Sequence, residues 1–395
     1  MSKKYLIINT GSTSKKYAFY NDREKIYNAH FETEKDKITL SETIGKNCNK
    51  KTFKKSEYSD AVKIVIDSLI KEKIIKDKKE IDGVGIRIVA PGKYFLANKK
   101  VDAQYLKFAN DAVKKVPLHL GPALEEIKNI KKFLGNKISI FGISDSTFHS
   151  TIPEHSKLYA IPIKHTRKFG LYMCGYHGIS VQSVTKRAEN FLGKLPKKVV
   201  VCHLGGGGSV TAVLDGKSID TSMGFTPLEG LVMATRVGDI DAGVVIELSE
   251  KLKKTGKDLE KYLNNECGLL GLSGKSGDLR DLLKLEKEGH EDSIMAIKVY
   301  SNRIKQYIGK MAATLGGIDL LILAGTIGER SPIMRERICD GLQFLGIEID
   351  KNLNKKSEGI ECSISKKGSK VKVLIIKTDE TEEIAKETLK LILDK

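Results

Sequence analysis

No two of the six cysteines (Cys48, Cys174, Cys202, Cys267, Cys339, Cys362) form a C-x-x-C pair, and all lie far apart. That spacing argues against a zinc site or a disulfide framework and fits a reducing compartment. No apolar run is long enough to span a bilayer, since even LGGIDLLILAGTIG is interrupted by Asp319. The opening MSKKYLIIN enters a strand directly, without the apolar stretch of a signal peptide, so a cytoplasmic chain with no membrane contact is expected. There is no Pro/Ser-rich linker, no low-complexity tract, no Arg-rich block and no basic stripe interleaved with aromatics. Lys+Arg 68 against Asp+Glu 50 gives a formal charge of +18, but the excess is mostly scattered lysine, such as Lys71, Lys73, Lys76, Lys78 and Lys79. Such a distribution reads as solvated surface and argues against a nucleic-acid partner. An anionic small ligand stays in view.

What is present is alternation. At 395 residues the chain has room for two or three domains with sizeable cores. Strand-like runs fall at 5–9, 16–20, 83–89, 137–143, 198–203, 209–214, 320–324 and 371–376. Helix-like runs fall at 59–75, 102–115, 122–134, 180–192, 239–255, 291–315, 334–345 and 380–393. This order predicts an α/β architecture. The span 292–315 carries Ile294, Ile297, Val299, Ile304, Ile308, Met311 and Leu315 at helical spacing, which predicts a long, partly buried helix. A domain boundary is expected near 145–153, with the last helix returning to the first domain. The lysine-rich segments 34–55 and 352–370 read as surface excursions.

Two distant segments share one layout. YLIINTGSTSKKYAFY (5–20) and VVVCHLGGGGSVTAVLDGK (199–217) each run apolar strand, small-residue turn, second β-prone run, polar turn. Gly, Ser and Thr let the backbone fold tightly and turn its N–H groups outward, where they bind phosphate oxygens. A repeated hairpin of this kind predicts a duplicated fold gripping one phosphorylated ligand from both sides of a cleft, where one such turn alone would read as an ordinary hairpin. A third feature, LLILAGTIGERSPIMRER, is an apolar strand, the loop 325–329, and a helix opening after Ser331-Pro332, a start suited to anions.

Single residues stand out around these turns. Arg87 and Arg236 sit at strand or loop ends, where a guanidinium fork matches carboxylate or phosphate oxygens or else forms a buried ion pair. His177 lies between glycines in MCGYHGIS, either as a site residue or as a loop histidine capping backbone. Asp145 follows an apolar strand, the position where α/β folds place functional carboxylates. Glu380 opens the last helix, where the helix dipole also favours a carboxylate.

The segments NTGSTSKK, GYHGIS, CHLGGGGSV, DTSMGFTPLEGLVMATRVGDID, SGKSGDLRD, GTIGERSP and KTDE resemble, in order and spacing, those of the acetate kinases, short-chain carboxylate kinases of the actin-like and sugar-kinase ATPase superfamily. The resemblance runs end to end. It implies two duplicated actin-like (ribonuclease H-like) α/β domains about a central cleft: an N-terminal domain of 1–147 with 382–395, and a nucleotide-binding and dimerisation domain of 148–381. It implies ATP or ADP and acetate, or another short-chain carboxylate, as substrates, Mg²⁺ with Mn²⁺ as a substitute, and a homodimer. By position, Arg87, Asp145, His177 and Arg236 match the catalytic set, and Asn9 and Glu380 match the residues that hold the metal. Ser12, Ser14 and Lys16 match one phosphate turn, and His203, Leu204, Gly205, Gly206 and Gly207 the other. Asp278, Leu279, Arg280, Thr326, Ile327, Gly328, Glu329 and Arg330 match nucleoside-binding segments, and Val89, Leu118, Tyr176 and Pro227 a small acyl pocket.

The chain departs from the family pattern in places. Ile86 and Ala90 stand where histidines usually flank or follow the first arginine, and Gly206 replaces an Asn. Thr326 and Arg330 replace Gly and Asn, crowding and charging the place for a flat base and bringing pyrophosphate into view as donor. Tyr176 replaces Phe and is expected to add a hydroxyl to the acyl pocket. The competing readings are a propionate or butyrate kinase and a non-catalytic nucleotide sensor. All six of Asn9, Arg87, Asp145, His177, Arg236 and Glu380 being suitable residue types favours an enzyme.

Overall fold

The computed structural model describes residues 2–11, 14–34 and 37–394. The chain divides into two units, one of Met1–Thr147 with Asp379–Lys395 and the other of Phe148–Thr378.

The first unit carries an eight-stranded sheet. Its strands are β1 (Lys4–Thr10), β2 (Ser14–Asn21), β3 (Glu24–Glu34), β4 (Lys37–Ile44), β5 (Asn47–Lys54), β6 (Gly83–Ile88), β7 (Lys99–Lys100) and β8 (Ile140–Ser144), in the order β5-β4-β3-β2-β1-β6-β8-β7. Leu6, Ile7 and Ile8 of β1 are all fully buried, as expected of a strand covered on both faces. Helices Ala61–Lys71 and Pro117–Leu134 supply Val62, Val65, Leu69, Leu120, Ile127 and Ile130 to one core. Helix Glu380–Leu393 packs on the sheet so closely that a Cβ on Gly85 would meet Thr388 Oγ1 at 1.9 Å. Only glycine fits there.

The second unit carries six strands, β9 (Lys198–Leu204), β10 (Gly208–Leu214), β11 (Lys217–Thr221), β12 (Leu320–Ala324), β13 (Cys362–Ser363) and β14 (Lys372–Ile375), in the order β11-β10-β9-β12-β14-β13. Alternate residues of β9 feed two cores: Val200, Cys202 and Leu204 face helix Glu291–Leu315, while Val199 and Val201 face helix Gly178–Leu192. The long helix has the bounds its periodicity predicts, with Ile297, Ile304, Ile308, Met311 and Leu315 buried.

The two sheets share a pattern. In the run β3-β2-β1-β6-β8 the successive pairings are antiparallel, antiparallel, parallel, parallel, and β11-β10-β9-β12-β14 repeats them. The duplication expected from the twin hairpins is therefore a duplication of whole sheets.

Four expectations are corrected. Segment 34–55 is not a surface excursion: β4 and β5 extend the first sheet, and Ile38, Leu40 and Glu42 of β4 are buried. Three of the lysines that disguised it, Lys50, Lys51 and Lys54, belong to β5, whose residues are almost all exposed. The loop expected at 325–329 is instead a short helix, Gly325–Arg330, and the helix after it ends early, spanning Pro332–Cys339. Pro122 does not start its helix but lies inside Pro117–Leu134, where Pro117 takes the favoured first position. Among the described residues no helix is long and apolar enough to cross a membrane.

Candidate active site

In the first unit, Arg87 stands next to the end of β6 and Asp145 directly follows the parallel neighbour β8. The Asp145 N–H donates to the Ile88 carbonyl at 2.9 Å, which fixes its side chain beside Arg87. Arg87 Nε and Nη2 donate to the two Asp145 oxygens at 3.2 and 2.9 Å, a fork on a carboxylate. Its Nη1 lies 3.3 Å from Glu380 Oε2 and 3.4 Å from Asn9 Oδ1, and Asn9 Nδ2 donates to Glu380 Oε2 at 2.8 Å. Asn9 comes from β1 and Glu380 from the first turn of the last helix, capped by Asp379. Burial alone would weaken the Arg87 cation, but the charges of Asp145 and Glu380 outweigh it and raise the Arg87 pKa above its ordinary value.

This cluster holds one cation against two carboxylates. Those carboxylates with the Asn9 amide are hard oxygen donors, the chemistry that suits a magnesium-like ion which keeps waters and phosphate oxygens in its shell. Among the described residues no three His, Cys, Asp or Glu side chains form a metal cluster. Lys16 is exposed and lies directly across from Asn9 in the β1–β2 pairing. The turn between them is closed by Gly11 N–H to the Ser14 carbonyl at 2.7 Å; Ser12 lies outside the described residues.

In the second unit, the sharp turn of Gly205, Gly206 and Gly207 joins β9 to β10, with Gly205 N–H donating to the Gly207 carbonyl at 2.8 Å. His177 caps helix Gly178–Leu192 in the left-handed region, φ 60°, which is uncommon for a residue with a side chain. Its Nδ1 lies 3.0 Å from Ser209 Oγ, and its ring centre is 4.4 Å from that of His203. His203 Nδ1 in turn lies 2.6 Å from Ser180 Oγ. A Cβ placed on Gly207 would stand 2.9 Å from Arg236 Nη2 and 3.4 Å from His177 Nε2. Both side chains therefore converge on the turn's backbone.

Arg236 is carried on an irregular loop between β11 and helix Ala242–Leu252. The loop is pinched at its neck, with Gly230 N–H donating to Asp239 Oδ1 at 2.8 Å and Asp239 N–H to the Gly230 carbonyl at 3.0 Å. Gly230 has φ 108°, and a Cβ there would strike the Ser222 carbonyl oxygen at 2.5 Å. Tyr307 donates to Asp239 Oδ2 at 2.6 Å, and Ala234 N–H reaches the Gly206 carbonyl at 3.1 Å, tying the loop to the Gly205–Gly207 turn. Arg236 Nη1 donates to the Pro227 carbonyl at 2.7 Å. It makes no ion pair among the described residues, and burial without a counter-ion pulls its pKa down to about 10, still cationic at neutral pH.

The expected nucleoside segments are solvent-facing in part. Asp278 caps helix Leu279–Lys287 and holds the exposed Arg280 side chain at 2.6 Å, which lowers the Asp278 carboxyl. Leu279 is buried. Thr326 and Arg330 are exposed, Ile327 is half-buried and Gly328 is buried. Glu329 Oε1 is already engaged by the N–H groups of Gly325 and Thr378, each at 3.1 Å. Of the acyl-pocket residues, Val89 is half-buried and Leu118 is exposed, while Tyr176 and Pro227 are buried. The Tyr176 hydroxyl donates to the Phe225 carbonyl at 2.6 Å, which corrects the expectation of a hydroxyl added to a pocket: the group is tied to backbone.

Several supporting residues escaped the sequence reading. Arg335 is fully buried, with Nε on Asn354 Oδ1, Nη1 on the Gly328 and Glu329 carbonyls, and Nη2 on the Asn354 carbonyl and Ser357 Oγ. It braces the short helix Gly325–Arg330 from beneath. Tyr159 donates to Glu229 at the base of the Arg236 loop, and burial raises the Glu229 carboxyl. No local signature marks these pairs, since Arg337, two residues past Arg335, is an ordinary half-exposed partner of Glu286.

Known proteins are similar to this chain in sequence and in fold. Residues 4–386 match the Acetokinase family. The chain is 38% identical to an acetate kinase of Thermoanaerobacterium thermosaccharolyticum over 399 residues, covering 98% of this chain and 99% of that one. It is 40% identical to an acetate kinase of Bacillus subtilis over 393 residues, with the same coverage. Among solved structures, Porphyromonas gingivalis acetate kinase superposes with a TM-score of 0.86 at 34% identity, covering 99% of this chain and 100% of that one. A Francisella tularensis propionate kinase gives 0.88 at 31% identity, covering 98% of each. Matched over nearly its full length in sequence and in fold, the chain belongs to the acetokinase family and is a carboxylate kinase.

Proposed function

We propose that this enzyme transfers the γ-phosphoryl group of ATP to acetate, reversibly, giving acetyl phosphate and ADP. The observation that carries this reading is the uncompensated Arg236 guanidinium beside His177 at the Gly205–Gly207 turn. A buried cation without a counter-ion is costly unless an anion arrives. Acetate is already ionised at neutral pH, so its attack on phosphorus needs no general base. The obstacle is repulsion between two anions, which positioned positive charge removes.

On this reading Arg236 and His177 act on the equatorial oxygens of the transferring group, and Arg87 holds the acetate carboxylate. Ser209 orients the His177 ring, leaving Nε2 toward the turn. Gly205, Gly206 and Gly207 offer backbone N–H groups to phosphate, with His203 and Leu204 framing the turn; Ser12, Ser14 and Lys16 serve the other phosphate turn. Asp278, Leu279 and Arg280, with residues 326–330, border the nucleoside. Val89, Leu118, Tyr176 and Pro227 surround the acyl group. Mg²⁺, when bound, would be held by Asn9 and Glu380 with Asp145 nearby, and would screen phosphate charge. Asp145 orients its neighbours and shuttles no proton.

A homodimer formed through the second unit fits helix Ala242–Leu252, which buries none of its residues although it carries Val244, Ile246 and Leu252. Such a face is typical of a contact surface. A cytoplasmic setting fits cysteines that form no disulfide among the described residues.

The deciding assay traps acyl phosphate as hydroxamate from acetate, ATP and Mg²⁺, with propionate, butyrate and pyrophosphate as alternatives. One methylene alters binding by only about 1–3 kcal/mol, so propionate should react more slowly than acetate. Product with pyrophosphate and none with ATP would reject ATP as donor, and no product with any pair would reject the kinase reading.

A further inference from the structure

Where β14 ends, the chain leaves its ladder. Ile376 N–H still reaches the Leu323 carbonyl at 3.3 Å, but the next two N–H groups bond to carboxylates. Lys377 N–H donates to Glu361 Oε1 at 2.9 Å, and Glu361 is itself gripped by the Arg187 fork at 2.9 and 2.8 Å. Thr378 N–H donates to Glu329 Oε1 at 3.1 Å, with Thr378 Oγ1 at 3.4 Å from the same oxygen. That oxygen also receives Gly325 N–H at 3.1 Å. A single carboxylate oxygen thus joins the first residue of helix Gly325–Arg330 to a segment two residues short of Glu380.

The helix cannot shift on its own. The Glu329 carbonyl accepts from Arg335 Nη1 at 3.0 Å and from Gly359 N–H at 2.9 Å, and Arg335 is fully buried. At its other end a Cβ on Gly325 would press the Leu204 carbonyl oxygen at 2.6 Å, so the helix start abuts the strand that leads into the phosphate turn. Hydrogen bonds from N–H groups to a carboxylate are stronger than neutral ones, yet Glu329 and Thr378 are only half-buried and the link can be exchanged for solvent.

We propose that Glu329 is a positioning residue whose carboxylate couples the seating of a nucleotide on helix Gly325–Arg330 to the placement of Glu380. The inference rests on the reading that this helix borders the nucleoside. Glu329 touches neither metal nor phosphate in this account; it acts through Thr378 and the chain that follows.

Hydrogen–deuterium exchange on the full-length enzyme, with and without ADP, tests it. In the wild type, ADP should slow exchange in peptides covering 325–335 and 374–382 together. In Glu329→Ala the slowing at 325–335 should persist and that at 374–382 should vanish; Glu329→Gln, which keeps an acceptor oxygen, should restore it. In steady state Glu329→Ala should lower kcat about 10–100-fold, as loss of such outer supports commonly does, with KM for acetate little changed. Slowing at 325–335 alone in the wild type would overturn the coupling and leave the nucleotide seat standing. Slowing at neither peptide would overturn both. If Glu329→Ala does not fold, the wild type and Glu329→Gln decide the matter by the same two peptides.

Discussion

Arg87 and Arg236, one in each unit, live under opposite electrostatic conditions. Arg87 faces two carboxylates and an amide, and its charge is held firmly. Arg236 has one backbone carbonyl and no counter-ion among the described residues. The first arginine is part of a structural ion cluster that a ligand must rearrange or share. The second stands without such a partner on a loop whose neck is tied by Asp239, Tyr307 and Gly230. The comparison separates stability from activity: loss of Arg87 should cost both, and loss of Arg236 activity alone.

The largest expected effect tests the bare arginine. Arg236→Ala should cut turnover about 10³-fold or more, on the scale of lost transition-state cations in phosphoryl transfer. Its thermal midpoint should stay level or rise, because removing a half-buried charge that has no counter-ion relieves a desolvation cost. Near-normal turnover, or a clear loss of stability, would break the contrast.

Arg87→Ala should behave in the opposite way in unfolding experiments. Asp145, almost wholly buried, would lose its fork, and such broken buried pairs cost about 3–5 kcal/mol. Urea midpoints of Arg87→Ala and of Arg87→Ala with Asp145→Asn should differ, the second recovering part of the loss. No difference would place the two arginines in the same class.

A smaller effect sharpens the same point without altering the backbone. Orthophosphate should raise the melting temperature of the wild type, by the equivalent of about 2.7 kcal/mol at a hundredfold excess over Kd, and should do little for Arg236→Ala. Equal stabilisation of both would move the anion site elsewhere. Smallest of all in its effect on chemistry, Ile246→Glu on the exposed helix beyond the Arg236 loop should shift the protein toward monomer in light scattering, with kcat retained. An unchanged oligomeric state would remove that helix as the contact.

Much of the frame was readable from local pattern. Apolar continuity marked β1, β9 and β12, and helical spacing gave Glu291–Leu315 its bounds. Strands β4 and β5 were missed because a sheet edge buries little, so lysine and asparagine dilute the alternation that Ile38 and Leu40 still keep. The meeting of Asn9 with Glu380, separated by 371 positions, could not come from spacing; only resemblance pointed to it. Supports such as Arg335 with Asn354, or Asp239 with Tyr307, are products of tertiary folding between unrelated segments and leave no mark nearby in the chain.

The outermost strand of the first sheet, β5, has a consequence of its own. Its ladder groups face outward with no further strand beside them, the kind of border along which proteins aggregate by strand addition. Lys50, Lys51 and Lys54 decorate that border. Lys51 is held by Glu42, so Lys50 and Lys54 are the charges placed to discourage intermolecular pairing, and replacing those two with threonine would be expected to favour fibrous self-association over any change in catalysis.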